Sequence, residues 1–211
     1  LPLLSLDRWP GDNETAFLTK GGFLTYRFRN IAGLVSAQES MMIEAATFLI
    51  FPLCLSIAAL SDLFTMTIPN RVSLILIASF LVIALLSGVP LQLIGMHFAG
   101  AAIVFAVCFA LFAVNVMGGG DAKLLTAAAL WFGYDPSLLI FLIYVAYIGG
   151  LVTIAIVLLR SQRQTINTMG LRIPDSLLIA KKIPYGIAIG IAGFLAYPSS
   201  PLMEAALARL H

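Results

Sequence analysis

Two aspartates, Asp62 and Asp121, stand where apolar sequence presses from both sides. Ionisable residues so placed are costly in a bilayer, and two carboxyls on one surface are the minimum equipment for acid–base hydrolysis. When two carboxyls share a site, mutual repulsion leaves one holding a proton while the other ionises. One then protonates a substrate carbonyl and the other draws a proton from water. Asp121 follows Gly118, Gly119 and Gly120 in the stretch NVMGGGDAKLLTAAALWFG. Three glycines permit positive φ and the close approach of another chain, more than the one turn residue a helix cap needs. Taken singly, Asp121 reads as the N-cap of the next helix, and Asp62, beside Ser61, as an interfacial residue wetted by headgroups. Only as a pair do they point to hydrolysis.

Other chemistries lack material. His97 lies within an apolar run and reads as packed or interfacial, and His211 is the last residue, so neither is a placed base for a serine or cysteine nucleophile. Cys54 and Cys108 also lie in apolar runs without CxxC spacing, which leaves no disulfide framework or zinc site, and there is no HExxH. With 61% hydrophobic and 10% charged residues and a mean hydropathy of +1.02, the chain reads as an integral membrane protein. Its formal charge of +2 comes from basic residues in loops, which disfavours nucleic acid as a partner and leaves the lipid bilayer as the surroundings.

The elements that must position the two acids follow from the apolar runs. Six segments stand out, roughly 43–60, 72–88, 91–116, 122–133, 137–159 and 183–197. They predict an all-α membrane protein, a polytopic bundle of about six transmembrane helices with a glycine-rich break before the short fourth. Pro69 is expected in the first turn of the second helix, SGVP closes that helix, and Asp135 caps the fifth with Pro136 at its first position. Lys and Arg concentrate in alternate loops: Arg71, then Lys123, then Arg160, Arg163, Arg172, Lys181 and Lys182, whereas SGVPLQ and GYDPS have none. The positive-inside rule makes the first set cytoplasmic and both termini external, so Asp62 and Asp121 emerge at one cytoplasmic surface. Residues 1–40 fit poorly. They lack sustained periodicity and a signal-peptide pattern, and carry Arg8, Lys20, Arg27 and Arg29 on the external side. They are expected to be a non-native extension ahead of Met41 or Met42, or else a disordered or amphipathic external tail, with the membrane-embedded domain that carries both acids over 41–211.

Gly118 to Asp121 match the GxGD signature of intramembrane aspartyl proteases. GGGDAKLL, with SDLFTMTIPNR upstream and KKIPYGIAI downstream, resembles the type IV prepilin peptidase family over about residues 43–197. The likeness is nearest to the short branch that serves Flp-type, tight-adherence pili. It implies that Asp62 and Asp121 are the catalytic pair and that the substrate is a prepilin with a basic leader and an apolar helix, cleaved at the cytoplasmic membrane edge without a cofactor. Gly118, Gly120, Lys123, Pro69, Asn70, Pro184, Tyr185 and Gly186 are the motif and substrate-positioning residues it implies. Long members carry an insert with paired CxxC motifs and a methyltransferase activity, neither of which this sequence supports. Lys123 could pair with an acid, contact substrate, or snorkel to the interface. IPYG reads either as a helix-start turn or as an exposed backbone edge that holds substrate extended. The rival readings are a proton-coupled transporter, which would bury its acids near the midplane, and a non-catalytic pilus-assembly subunit; oligomeric state is open.

Overall fold

The computed structural model describes residues 20–161 and 183–210, and the chain divides into two units, Leu1–Met42 and Ile43–His211. Helical backbone forms α1 (Lys20–Thr65), α2 (Asn70–Leu86), α3 (Leu91–Ala113), α4 (Gly119–Phe132), α5 (Pro136–Ser161), α6 (Tyr185–Ala196) and α7 (Pro201–Leu210), with a 3-10 turn at Tyr197–Ser199. No strand occurs among the described residues. In the first unit the backbone is helical from Lys20, although the sequence there shows no apolar periodicity.

Met41–Thr65, Leu91–Ala113 and Pro136–Ser161 are long and apolar enough to cross a bilayer, and Tyr185–Ser199 with Pro201–Ala208, bent by 45°, makes a possible fourth span. By length and composition the count is therefore three or four, where the sequence led us to expect six. The 17 residues of α2 and the 14 of α4 reach about 25 and 21 Å, short of a hydrocarbon core of about 30 Å. The reason for α4 is its surroundings. It packs on α2, α3, α5, α6 and α7, and an unbroken buried run from Ala127 to Phe132 closes it. That second half, apolar all round, has the character of a core helix.

Aromatic rings fill the centre of the second unit. Phe51 of α1 stacks on Tyr197 at 4.3 Å and meets Trp131 of α4 at 5.3 Å between ring centroids. The polar ends of these rings find acceptors, as buried indoles and phenols must: Trp131 Nε1 donates to Leu76 O at 3.1 Å and Tyr197 Oη to Thr47 O at 2.6 Å. One face of α6 is lined by Gly186, Gly190 and Gly193 and lies against α1. A Cβ on Gly190 would sit 3.0 Å from Ala59 Cβ, and one on Gly193 would overlap the Leu55 side chain. Small residues at this spacing let two membrane helices approach closely.

The helix ends follow the expected punctuation with one shift. Ser137 N–H donates to Asp135 Oδ1 at 2.8 Å, with Pro136 opening α5. Pro69 is the N-cap of α2 and stands just outside its first turn. Gly88, at φ +69, closes α2. His97 is packed: its ring Nδ1 lies 2.8 Å from Leu130 O, a last-turn carbonyl of α4 that no later residue of that helix can reach.

Candidate active site

Asp62 sits in the last turn of α1, just before a four-residue turn into α2. That turn is tied by its own hydroxyls. Ser61 Oγ donates to Thr67 O at 2.8 Å, Thr65 Oγ1 to Ser61 O at 2.7 Å, and the Thr65 and Thr67 hydroxyls meet at 2.7 Å. Between them Met66 adopts φ 54, a left-handed conformation unusual for a side chain of its size. The hydroxyl clasp holds it there, and Ile68 is thereby laid against Gly120, where a Cβ would touch Ile68 Cβ at 3.4 Å.

Asp62 itself is only 4% exposed, which matters because a buried carboxyl must be hydrogen-bonded. Its Oδ2 accepts the N–H of Gly186 at 2.7 Å. Gly186 is the second residue of α6, whose first-turn N–H groups have no partner within the helix. Asp62 therefore caps α6 from another helix, at the positive end of its dipole. The approach leaves no room for a side chain: a Cβ on Gly186 would lie 2.8 Å from both Cβ and Oδ2 of Asp62.

Asp121 is the third residue of α4 and not its N-cap, correcting the single-residue reading of the sequence. Gly118 holds the cap position at φ −73, ψ 143 with no side-chain cap bond. Nor do the glycines supply positive φ. That role falls to Asn115, at φ 59, a residue type that tolerates the left-handed region. The glycines provide space instead. A Cβ on Gly118 would stand 2.7 Å from Asp121 Oδ2, and one on Gly119 3.2 Å from the Phe112 ring. Asp62 and Asp121 line one cavity of about 230 Å³, walled by Met66, Thr67, Ile68, Asn70, Gly118 to Gly120 and Ile183. A single water needs roughly 15 Å³ measured in this way, so a peptide group with attacking water fits.

The remaining sequence-predicted residues surround this cavity in different ways. Lys123 Nζ donates to Asn70 Oδ1 at 3.1 Å, joining α4 to the start of α2. Pro69 and Asn70 are exposed. Pro184 is fully buried as the N-cap of α6, and the Tyr185 ring lies against α5, 3.0 Å from a Cβ placed on Gly149. The backbone from Pro184 to Gly186 is thus not an exposed edge: Pro184 and Gly186 are buried and the Gly186 N–H is taken by Asp62. Met66, Thr67 and Ile68 escaped sequence reading as a wall, although the cluster of Ser61, Thr65 and Thr67 was a signal for a hydroxyl-tied turn. The spacing of Gly186 and Gly190 likewise signalled a close helix seam. The basic residues Arg163, Arg172, Lys181 and Lys182 lie outside the described residues, as do Arg8 and the rest of 1–19.

Among the described residues, an all-helical fold with three or four helices long and apolar enough to cross a bilayer, packed around the buried second half of α4, defines a polytopic membrane protein. A family model described as the type IV leader peptidase family matches residues 49–154, and the chain belongs to that family of peptidases. The match takes in Asp62, the clasped turn, the glycines and Asp121, and ends before α6. No curated protein and no solved structure matches the chain.

Proposed function

We propose that the protein is a membrane aspartyl endopeptidase that removes the short basic leader from prepilins of the Flp type. Asp62 and Asp121 are its catalytic pair. The observation that carries this reading is that the two acids, from helices far apart in sequence, line one cavity. One carboxylate draws a proton from water, which attacks the scissile carbonyl carbon while the other carboxyl protonates the carbonyl oxygen. Collapse of the tetrahedral intermediate breaks the C–N bond as the first aspartate gives the amine the proton it took from water, and the hydroxyl proton returns to the second aspartate. The Gly186 N–H on Oδ2 fixes the orientation of Asp62 and leaves its Oδ1 for water or substrate.

The fold supports this chemistry at a membrane edge. A scissile bond must be unwound where its freed N–H and C=O groups can be satisfied, and both acids stand at helix ends instead of mid-span. We place that end at the cytoplasmic face of the inner membrane and take the six apolar helices together as the crossing bundle, with the short α4 sheltered by the others. Residues 1–40 we take as dispensable for catalysis. The reaction requires no cofactor in this scheme. Cys54 and Cys108, both buried within membrane helices, offer no paired CxxC motif for the methyltransferase domain of longer members.

The test uses purified protein in liposomes with a candidate prepilin. Leader removal is the expected result. Proton-linked flux without cleavage would make the protein a transporter, and binding without cleavage an assembly subunit; either outcome sinks the proposal.

A further inference from the structure

Beside the candidate active site, α2 and α3 both pack on α4 and leave an apolar groove between them. Its near part, about 390 Å³, is lined by Ser73, Leu74, Ile77, Phe105 and Thr126, with Asn70 and Lys123 at its mouth. Its far part, about 240 Å³, continues over Ile77, Phe105 and Thr126 to Ala101, Ala102 and Leu130. From Asn70 to Ile77 the wall of α2 covers two helical turns, about 10 Å. Asn70 also walls the cavity that holds Asp62 and Asp121. Cavity and groove therefore share Asn70 as a wall, and the Lys123–Asn70 hydrogen bond marks where polar lining gives way to apolar.

We propose that this groove docks the apolar helix of the substrate, the segment that follows the scissile bond. The proposal rests on the leader-peptidase reading and extends it to where the rest of the substrate lies. A chain whose peptide bond reaches the two acids must leave the cavity within a few residues, and the groove is apolar surface joined to the cavity wall. A lipid tail could fill the same volume. Only the substrate, however, is covalently continuous with what the cavity holds. The walls suit a helix, because Ala101, Ala102 and Thr126 let a backbone come close, while Leu74 and Phe105 are 64% and 50% exposed along the path. The polar mouth meets the junction between basic leader and apolar helix, and the apolar length meets the helix itself.

Two readouts test the proposal on the full chain in liposomes. Ala102→Trp plugs the groove from α3 without touching either acid, and Ile143→Trp adds the same bulk to an exposed position on α5. Each is assayed on a full-length prepilin and on a water-soluble peptide that has the leader and scissile bond but no apolar helix. The expected result is at least a tenfold fall in kcat/KM for Ala102→Trp on the full-length substrate, with the short peptide cleaved as by wild type and Ile143→Trp unchanged on both. In parallel, a photo-crosslinking side chain at position 102 should label the prepilin helix, and one at 143 should not. Equal losses on both substrates, no loss, or labelling of lipid alone under saturating prepilin would each overturn the groove assignment while wild-type cleavage still stood. Absence of wild-type cleavage would instead remove the leader-peptidase reading and the groove with it.

Discussion

The 2.7 Å bond from Gly186 N–H to Asp62 Oδ2 makes one carboxylate serve both a helix end and the proposed chemistry. Gly186→Ala places a methyl 2.8 Å from that carboxylate. It should cut prepilin cleavage by about a hundredfold or more and destabilise the protein by about 1–3 kcal/mol, read from turnover and from thermal unfolding in detergent. Wild-type turnover with normal stability would show that Asp62 tolerates displacement. Asp62→Asn and Asp121→Asn should each reduce leader removal by about a thousandfold with the fold intact. Asn keeps an acceptor for the Gly186 N–H and loses only the proton exchange. Two groups acting as a unit are non-additive, so the double variant should be hardly worse than either single one. Asp135→Asn can still cap α5 and should leave turnover unchanged. Substantial cleavage by well-folded Asp121→Asn would end the aspartyl reading.

Two glycines make the point at the scale of elements. Gly190 lies in the seam between α6 and α1, where an added Cβ meets Ala59 Cβ at 3.0 Å and Leu55 O at 3.4 Å, whereas Gly150 on α5 has nothing within 4 Å. Gly190→Val should therefore lower stability by about 1–3 kcal/mol, and activity with it, because this seam carries Gly186 to Asp62. Gly150→Ala should raise stability by about 0.5–1 kcal/mol, since alanine loses less backbone entropy in a helix. Unfolding midpoints of the two variants decide the matter, and shifts of the same sign would contradict the seam. Short α4 belongs to the same scale. Its sequence announced an apolar helix and its length raised a difficulty for a membrane crossing, which burial within the bundle removes.

For the whole molecule, charge asymmetry and the shared cavity combine into a statement about sidedness. The ends of α1 and α3, the starts of α2, α4 and α6, and both acids should face the cytoplasm, because the loop 160–182 carries five basic residues, Arg160, Arg163, Arg172, Lys181 and Lys182. Reporters fused in that loop should read as cytoplasmic, and those at Gly88 or Asp135 as external. Reversed labelling would put the cavity on the face away from a cytoplasmic leader and remove the proposed reaction.

Local patterns were enough to read the membrane class, the helical elements, the α5 cap at Asp135 and the two acids worth weighing, because hydropathy, turn residues and cap residues act over a few positions. The matched family adds that these patterns are those of leader peptidases. Taken alone, Asp121 looks like a helix cap by the same local rules, but Gly118 holds the cap position and Asn115 makes the turn. Six apolar segments were legible, but by length and composition three or four helices reach across a bilayer, because α2 and α4 have only 17 and 14 residues. Only the tertiary structure decided that Asp62 and Asp121 line one cavity, that Gly186 closes on Asp62, and that Ile68 packs on Gly120. Each of these joins residues far apart in sequence. Their distances are set by how close the helix backbones come, which depends on glycine seams and aromatic packing summed over the bundle and on no single stretch of chain.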